Sequence, residues 1–321
     1  MKLTKILEEF PKRNIMIIGD VMLDKYTHGT VKRISPEAPI QVAEVQKETY
    51  TPGGAGNSAN NIASLGAKAY ILGVIGDDYS GTQIKQELKK RKINIEGIIE
   101  EKNRQTTLKQ RTIAQGQQLL RLDYETQEEI QKETETKLID YITEKIHDID
   151  GIIISDYAKG LITGNLAKKT IILASSYNVP VMIDTRPQHK IYYKYATIIT
   201  PNESEARKMA KLDKASIEKV GKKLVKKLNA TVLITRGEKG MTLFRKNNSM
   251  KHFPTVAREV YDVSGAGDTA TAVLTLSITS GAKIEQAVQI ANTSAGIVVG
   301  KAGTATTTIE EIKEVLNIKN K

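Results

Sequence analysis

Short apolar runs rich in β-branched residues alternate along the chain with charged stretches of helical period, and this pattern limits the possible folds more than any other feature. The predicted strands are residues 15–18, 70–74, 152–154, 181–183, 197–199 and 232–234. The predicted helices include residues 83–92, 133–147 and 217–228. Strands that alternate with helices form a mostly parallel sheet covered on both faces. We therefore predict an α/β protein with a doubly wound sheet, whose ligands bind beyond the carboxyl ends of the strands.

Two segments lack this helical period. Residues 25–51 and 104–125 alternate polar and apolar side chains instead. Such alternation is typical of strands with one buried face. We expect them to form a small β-sheet that projects from the α/β body as a lid. No linker composition separates two domains, so residues 1–321 are predicted to form a single domain.

The composition excludes several classes of protein. The chain contains no cysteine, which excludes disulfides, thiolate metal sites and a cysteine nucleophile. It has neither a long apolar run nor a signal-like N-terminus, so we expect a cytoplasmic protein without a membrane partner. The formal net charge is +11, for which nucleic-acid binding is one explanation. The lysines are spread through helical stretches without interleaved aromatic residues, which favours a solvated surface that attracts anionic substrates and binds no nucleic acid.

The strongest chemical signal is the string Asp-Val-Ser-Gly-Ala-Gly-Asp at positions 262–268, which precedes an apolar helical run. Small residues let the backbone approach a ligand closely, and free N–H groups at a helix N-terminus bind anions. Gly265, Ala266 and Gly267 are therefore candidates for an anion hole that stabilises a transferring phosphoryl group. Asp268 would stand beside that anion and accept a hydroxyl proton. Composition alone also allows an ordinary helix start with a capping aspartate.

The same string resembles the C-terminal signature of the ribokinase-like (PfkB) carbohydrate kinases. Residues 52–57, Pro-Gly-Gly-Ala-Gly-Asn, resemble their N-terminal signature, and the resemblance runs over essentially the whole chain. It implies a ribokinase-like fold and the transfer of a phosphoryl group from Mg·ATP to a sugar hydroxyl, with Asp268 as the base. The Walker sequence and the protein-kinase signatures are absent from the sequence.

The resemblance assigns further residues to the sugar, the nucleotide and the ions. The positions matched to sugar contacts are Asp20, Asp24, Gly53, Gly54 and Asn57. The positions matched to nucleotide contacts are Asn202, Glu205, Thr235, Gly237, Gly240 and Asn292. In the family the Glu205 position helps to hold the water shell of Mg²⁺, an ion that dehydrates reluctantly. Many family members also use K⁺ near the glycine turn, which would place that ion at Asp262 and residues 300–304.

Three further strings, at residues 33–39, 117–123 and 155–160, resemble the branch of the family that phosphorylates C1 of D-glycero-β-D-manno-heptose 7-phosphate. This resemblance places Asp156 near the sugar together with several cations. The cations are Lys109, Arg111, Arg121 and Lys159. Arginine can hold a phosphate through two parallel hydrogen bonds, which suits a substrate with a remote 7-phosphate.

Some features leave alternatives open. The string Asp-Thr-Arg-Pro at 184–187 departs from the Asp-Pro-Lys-Gly that is usual in this branch. Ribose, fructose, a hexose phosphate and a nucleoside therefore remain alternative substrates, and a non-catalytic sugar- or nucleotide-binding module is the alternative outside the kinases. In many bacteria the heptose kinase is fused to a nucleotidyltransferase, so this chain resembles the stand-alone form or the kinase half. Exposed edges of the lid strands predict a homodimer.

Overall fold

The computed structural model describes residues 2–257 and 260–318. The strands are β1 (Asn14–Gly19), β2 (Val21–Ile34), β3 (Gln41–Gly54), β4 (Lys68–Gly76), β5 (Asn94–Glu101), β6 (Thr107–Ala114), β7 (Gln117–Tyr124), β8 (Gly151–Ser155), β9 (Val181–Asp184), β10 (Ile198–Ile199), β11 (Thr231–Thr235), β12 (Met241–Phe244) and β13 (Met250–Phe253). The helices are α1 (Leu3–Glu9), α2 (Ala55–Ser64), α3 (Tyr79–Lys90), α4 (Lys132–Lys145), α5 (Gly164–Ser176), α6 (Glu203–Ala210), α7 (Ile217–Leu228), α8 (Ala266–Thr279), α9 (Ile284–Val298) and α10 (Ile309–Val315). Single 3₁₀ turns at Phe10–Lys12, Ile146–Asp148 and Gly237–Lys239 and a longer 3₁₀ segment at Pro187–Tyr193 complete the regular elements.

Within the described residues, nine strands form one large sheet in the order β13-β12-β11-β10-β9-β8-β1-β4-β5. The pairs from β11 to β5 are parallel, and β12 and β13 add an antiparallel edge. The chain builds outward from β1 through β4 to β5 and then crosses to β8. In an open α/β sheet, ligands bind at the carboxyl ends of the strands beside such a reversal of strand order. The predicted α/β sheet is thus confirmed.

The large sheet is buried on both faces. In β1, Ile15 and Ile17 pack into one apolar cluster, whereas Met16 and Ile18 pack into another. Successive strand residues point to opposite faces, so the two clusters lie on the two sides of the sheet. Helices α2, α8 and α9 cover the first side, and α4, α5, α6 and α7 cover the second. This double burial explains why the strands read as unbroken apolar runs.

A smaller sheet contains β3, β2, β6 and β7 in that order. The pair β2–β6 is parallel, and the other two pairs are antiparallel. The predicted segments 25–51 and 104–125 lie in this sheet. Its pairing aligns Thr49, Tyr26, Arg111 and Arg121 in one row, so their side chains share one face. The small sheet is confirmed, while its motion as a lid and the single-domain boundary stay predictions.

Local signals fix two helix starts that matter for the site. Helix α6 begins with a capping box, in which the Asn202 side chain accepts from the Glu205 backbone and the Glu205 side chain accepts from the Asn202 backbone. Helix α8 begins after Gly265, whose φ of 79° is the left-handed conformation that glycine adopts without strain. Among the helices of residues 2–257 and 260–318, none combines the length and the hydropathy that a bilayer span needs.

Candidate active site

Asp268 lies in the first turn of α8, where its side chain is 4% exposed. One carboxylate oxygen, Oδ2, accepts a hydrogen bond from the Asn57 amide at 2.8 Å. The other oxygen, Oδ1, accepts from the Tyr157 hydroxyl at 2.9 Å and from the Ser58 hydroxyl at 3.2 Å. All three donors are uncharged. The carboxylate is therefore fixed in orientation without a direct ion pair, and the nearby charge of Arg186 has only a smaller effect, which lowers its pKa.

Burial raises the pKa of Asp268, and the hydrogen bonds from Asn57, Tyr157 and Ser58 act in the opposite direction. A carboxylate in such surroundings is a better proton acceptor than one in water. Burial and the charge of Asp268 raise the pKa of Tyr157 well above its ordinary value. The Tyr157 hydroxyl therefore stays protonated and acts as a donor to the carboxylate.

The glycine turn in front of α8 presents backbone N–H groups at the helix N-terminus. A side chain at Gly265 would come within 2.6 Å of the Asn57 amide nitrogen, so the turn and α2 approach closely. The Ala266 N–H makes a long hydrogen bond of 3.3 Å to the Val263 carbonyl. Within the described residues, the N–H groups of Gly265 and Gly267 have no backbone acceptor outside the helix ladder. Two of the three predicted anion-hole donors are thus available to an anion.

A cavity of about 770 Å³ separates the small sheet from the loops around the glycine turn. Its lining includes Tyr26 and Arg111 from the small sheet, and Asp262, Ser264 and Thr304 from the opposite side. Another cavity, of about 780 Å³, lies between α5 and the 3₁₀ segment Pro187–Tyr193, and none of the predicted site residues lines it. The first cavity therefore adjoins the chemistry, although the second is slightly larger.

Asp24 and Arg111 form an ion pair on the small sheet, with 2.5 Å between Arg111 Nη1 and Asp24 Oδ1. The Arg111 guanidinium also lies over the Tyr26 ring, 5.3 Å from its centroid. Burial works against the charge on Arg111, but the hydrogen bond and charge of Asp24 raise its pKa overall. Gly53 backs this pair, since a side chain there would come within 2.4 Å of Asp24 Oδ2. Gly54 (φ 56°) starts α2 and meets the turn after β1.

The other predicted phosphate-binding cations, two on the small sheet and one in the turn after β8, also have carboxylate partners. Lys109 and Arg121 both pair with Asp123, at 3.3 and 2.9 Å. Lys159 pairs with Glu125 at 2.5 Å. Their proposed contact with a substrate phosphate stays a prediction, and these ion pairs would have to rearrange to make it.

Two buried aspartates hold the turn that follows β8. Asp20 accepts from the backbone N–H groups of Tyr157, Lys159 and Leu161, at 2.8, 3.2 and 3.2 Å. Asp156 accepts from the Ala158 N–H, the Tyr193 hydroxyl and the His189 ring, at 2.8, 2.7 and 2.7 Å. These bonds assign both carboxylates to shaping the turn, and a direct contact of either with sugar stays a prediction.

The predicted nucleotide residues gather at the carboxyl ends of β9 to β11. Glu205 caps α6 with Oε2 and pairs with Arg186 through Oε1, at 2.7 Å. Thr235 ends β11 and forms a bridge with Asn202. Gly237 and Gly240 have φ values of 55° and 77°, in the turn between β11 and β12.

Two further predicted residues join loops. Asn292, on α9, donates to the Pro254 carbonyl at 2.7 Å. Asp262 accepts from the Ser264 N–H at 2.8 Å and from the Gly303 N–H at 3.1 Å. Asp262 therefore connects the glycine turn to the 300–304 stretch, and a cation site there stays a prediction.

Sequence reasoning assigned no site role to Ser58, Tyr157, Asp184 and Arg186, although the last two lie in the string at 184–187 that departs from the related branch. Asp184 ends β9, and burial together with the charge of Asp268 raises its pKa well above the ordinary value. The Arg186 guanidinium lies 4.5 Å from the centroid of the Tyr157 ring. Each of these residues except Ser58 directly ends or follows a central strand, and that position is the signal that could have identified it.

Comparison with known proteins agrees with this geometry. Residues 12–311 match the model of the pfkB family carbohydrate kinases. The chain is 40% identical over 314 residues to the bifunctional protein HldE of Sulfurimonas denitrificans, covering 97% of this chain and 65% of that protein. It is 42% identical over 309 residues to the bifunctional protein HldE of Helicobacter pylori, covering 95% of this chain and 66% of that protein. This chain thus spans about two thirds of the length of the curated relatives that it matches.

Solved structures share the fold. Arabidopsis thaliana ribokinase, complexed with ribose and ATP, has a TM-score of 0.71 at 19% identity, covering 95% of this chain and 98% of that one. Phosphofructokinase-2 from Escherichia coli, in complex with potassium, has a TM-score of 0.75 at 17% identity, with the same two coverages. The family match spans nearly the whole chain and includes Asp268 and the glycine turn. The protein therefore belongs to the pfkB family of carbohydrate kinases.

Proposed function

We propose that this kinase transfers the γ-phosphoryl group of ATP to the C1 hydroxyl of D-glycero-β-D-manno-heptose 7-phosphate and releases the 1,7-bisphosphate and ADP. The observation that carries the chemistry is Asp268, buried, held by three neutral donors and set beside a glycine turn with free N–H groups. The choice of sugar rests on the strings at 117–123 and 155–160, which resemble the heptose-phosphate branch.

The residues of this chain then have distinct tasks. Asp268 takes the proton of the attacking hydroxyl, the hydroxyl oxygen bonds to the γ-phosphorus, and the bond from that phosphorus to the bridging oxygen of ADP breaks. The N–H groups of Gly265 and Gly267 hold the charge that develops on the phosphoryl oxygens. Closure of the small sheet over the cavity would exclude water from this step.

The donor set on the nucleotide side suits magnesium held through water. Among residues 2–257 and 260–318, no group of three or more histidine and acidic side chains could chelate a metal directly. Mg²⁺ usually keeps several waters and binds through one or two carboxylates and the phosphates of ATP. Glu205 would hold that water shell, with Asp184 close enough for the charge of Glu205 to raise its pKa. The ion neutralises the charge of the phosphates when it is bound.

A monovalent cation would bind between the glycine turn and residues 300–304. Both oxygens of Asp262 already accept backbone N–H groups, so its role there is to hold the two loops together. Turnover that rises with K⁺ at constant ionic strength would support the cation site, and equal turnover in Na⁺ and K⁺ would contradict it.

The cations of the small sheet would bind the remote 7-phosphate. Lys109 and Arg111 are two residues apart on β6 and therefore share a face with Tyr26 and Asp24. A phosphate that reaches them competes with Asp123 and Asp24 for charge-assisted hydrogen bonds. Binding energy from this distant group can orient C1 toward ATP.

The decisive experiment is ADP release with Mg·ATP across heptose 7-phosphate, ribose, fructose, fructose 6-phosphate and adenosine. We expect turnover with heptose 7-phosphate alone, and a product phosphorylated at C1. Turnover on another sugar would keep the kinase and remove the heptose assignment. No turnover on any compound, together with no thermal shift by ATP, would contradict the proposed function as a whole.

We also propose that the protein acts in the cytoplasm, where ATP is supplied, as a homodimer through the small sheet. Strand β7 is an edge strand whose eight residues are all exposed. Leu120 and Leu122, on one face of it, are 54% and 40% exposed. Pairing between subunits would cover this edge. Sedimentation should give a dimer that Leu120→Lys dissociates, whereas a monomeric wild type would contradict the interface.

A further inference from the structure

Tyr157 connects parts of the site that the family signatures describe separately. Its hydroxyl donates to Asp268 Oδ1 at 2.9 Å, and its backbone N–H donates to Asp20 at 2.8 Å. The turn after β8 thus fixes the backbone of Tyr157, and the phenol side chain extends from there to the N-terminus of α8. The position of the ring between these two anchors decides where the hydroxyl points.

Arg186 covers the face of that ring. Its guanidinium lies 4.5 Å from the ring centroid, within the range of a cation–π contact. The same guanidinium pairs with Glu205 at 2.7 Å, and the Arg186 backbone N–H donates to the Tyr193 hydroxyl at 2.8 Å. The arginine is therefore held at its backbone and at its tip, and its planar surface sets the ring from one side.

The two carboxylate oxygens of Asp268 accept different numbers of hydrogen bonds. Oδ1 accepts from Tyr157 and Ser58, whereas Oδ2 accepts from Asn57 alone. The hydrogen bond from Tyr157 lowers the pKa of Asp268 against the larger effect of burial, which raises it. An oxygen with two donors is the weaker base, so the substrate proton goes to Oδ2.

We propose that Tyr157 is the positioning residue of the catalytic base and directs the substrate proton to Asp268 Oδ2. Arg186 holds the Tyr157 ring in place and thereby links the base to the turn that contains Asn202 and Glu205. This assigns a role to the Asp-Thr-Arg-Pro string at 184–187. A lysine in place of Arg186 could pair with Glu205 but offers no planar face to the ring. The inference rests on the proposed phosphoryl transfer and is independent of which sugar accepts the phosphoryl group.

The first test is Tyr157→Phe, which removes the hydroxyl and keeps the ring under Arg186. We expect kcat to fall about 10- to 100-fold, the scale of a lost hydrogen bond to a charged group. The acid limb of the pH profile of kcat/KM should move to higher pH, because the carboxylate loses a donor. The KM for ATP should stay unchanged. A packing role alone would not move the acid limb.

The matched control is Tyr141→Phe, which removes a hydroxyl that donates to Glu96 at 3.4 Å, far from the site. Its kcat and pH profile should equal those of the wild type. A Tyr157→Phe protein with wild-type kcat and an unmoved acid limb would overturn the proposal.

The second test concerns Arg186. Arg186→Lys should also move the acid limb to higher pH in the wild-type background, and this movement should disappear in the Tyr157→Phe background. An equal effect in both backgrounds would overturn the link through Tyr157 and would mean that Arg186 acts through its charge on Asp268 or on the substrates directly.

A readout without turnover separates this inference from the proposed function. The shift in the urea midpoint caused by Tyr157→Phe should shrink when Asp268 is already Ala, because alanine has no oxygen to accept the hydrogen bond that the two residues share. Additive shifts would overturn the contact even for an enzyme whose sugar is unknown. Coupled shifts with no turnover on any sugar would support the contact and count against the proposed kinase activity alone.

Discussion

The two walls of the site, the catalytic wall of the α/β body and the wall formed by the small sheet, hold their charged groups in different ways. On the catalytic wall, the carboxylate of Asp268 is buried and accepts hydrogen bonds only from neutral donors. On the small-sheet wall, Lys109, Arg111 and Arg121 each face a carboxylate of their own sheet. Neutral donors orient a base and leave it able to take a proton, whereas an ion pair must open before its cation can hold a phosphate. We therefore expect the catalytic wall to have its final arrangement before substrates arrive. The small-sheet wall should reach its final arrangement only when a substrate binds.

The largest effect should come from the catalytic wall. Asp268→Asn keeps the shape of the side chain but removes its capacity to accept the substrate proton. We expect kcat to fall about 1,000-fold, within the usual range for loss of a general base, with ATP affinity nearly unchanged. Steady-state ADP release and ATP titration by calorimetry measure the two quantities.

Asp140→Asn is the control for this charge change, because Asp140 is exposed on α4. It should behave as the wild type. If Asp268→Asn retains full turnover, the base lies elsewhere. The proposal that the catalytic wall holds a base ready before substrates bind would then be wrong.

The small-sheet wall should respond through substrate binding. Arg111→Met removes a guanidinium that Asp24 and Tyr26 hold toward the cavity. We expect the KM for the sugar phosphate to rise about 10- to 100-fold, the scale of lost charge-assisted hydrogen bonds, with a smaller change in kcat. Lys32→Met is the control, since Lys32 is an exposed cation of the same sheet, paired with Glu44. A kcat loss without a KM change would mean that this wall is also fixed in advance.

The same contrast decides how much the sequence could predict. The glycine turn and Asp268 are adjacent in the chain, so one local string predicts both the anion hole and the base. The apolar runs likewise predict the strands of the large sheet, because parallel strands are buried on both faces. Contacts between distant segments carry no local signal, and Asp268 meets Ser58 and Tyr157 across 210 and 111 positions. Sequence reasoning therefore found the base and missed two of its three donors.

The antiparallel edge of the large sheet and the paired cations show a second limit on what the sequence can predict. Strands β12 and β13 were not predicted. The edge strand β13 is mostly exposed, and β12, although buried, has only four residues, which are too few for a clear pattern. The charges of Lys109, Arg121 and Lys159 are visible in the sequence. The carboxylate partners of the first two depend on strand register, and that of Lys159 depends on a contact between the turn after β8 and the residue after β7. A cation in the sequence predicts a charge, and only the fold shows whether that charge is already paired.

A substitution of Asp184 tests whether the arrangement of the catalytic wall lowers the free energy of unfolding of the protein. Burial and the charge of Asp268 raise its pKa, so the folded state disfavours the ionised form. That penalty is absent below the unfolded pKa near 4 and develops as pH rises. Asp184→Asn should therefore raise the free energy of unfolding at pH 7.5 by about 1 kcal/mol and have little effect near pH 4. Urea denaturation at the two pH values measures this, with Asp140→Asn as the control.

An Asp184→Asn protein that is less stable at pH 7.5 would mean that the carboxylate is satisfied in the folded enzyme. The catalytic wall would then resemble the small sheet, where charges are balanced without substrate. A more stable protein with lower turnover would sharpen the contrast, since stability would be lost where function requires like charges to lie close together.

The smallest effect should come from His189, which lies behind the catalytic wall and contacts the predicted sugar-binding residues only through Asp156. Its hydrogen bond with Asp156 raises the pKa of His189 despite the opposing effect of burial, and Asp20 and Glu129 add to the increase. The charged imidazole thus contributes stability that is fully present below the unfolded pKa near 6.5 and is lost as pH rises through the folded pKa. The side chain is 19% exposed, and solvent therefore screens the ion pair.

Relative to His189→Asn, the wild type should gain about 0.5 kcal/mol more stability at pH 5.5 than at pH 8.5. The matched control is His147→Asn, which alters an exposed histidine whose ring meets the Tyr177 ring edge-on. If the difference instead grows toward pH 8.5, the imidazole is neutral in the folded protein, and the turn that carries Tyr157 is held without a charge.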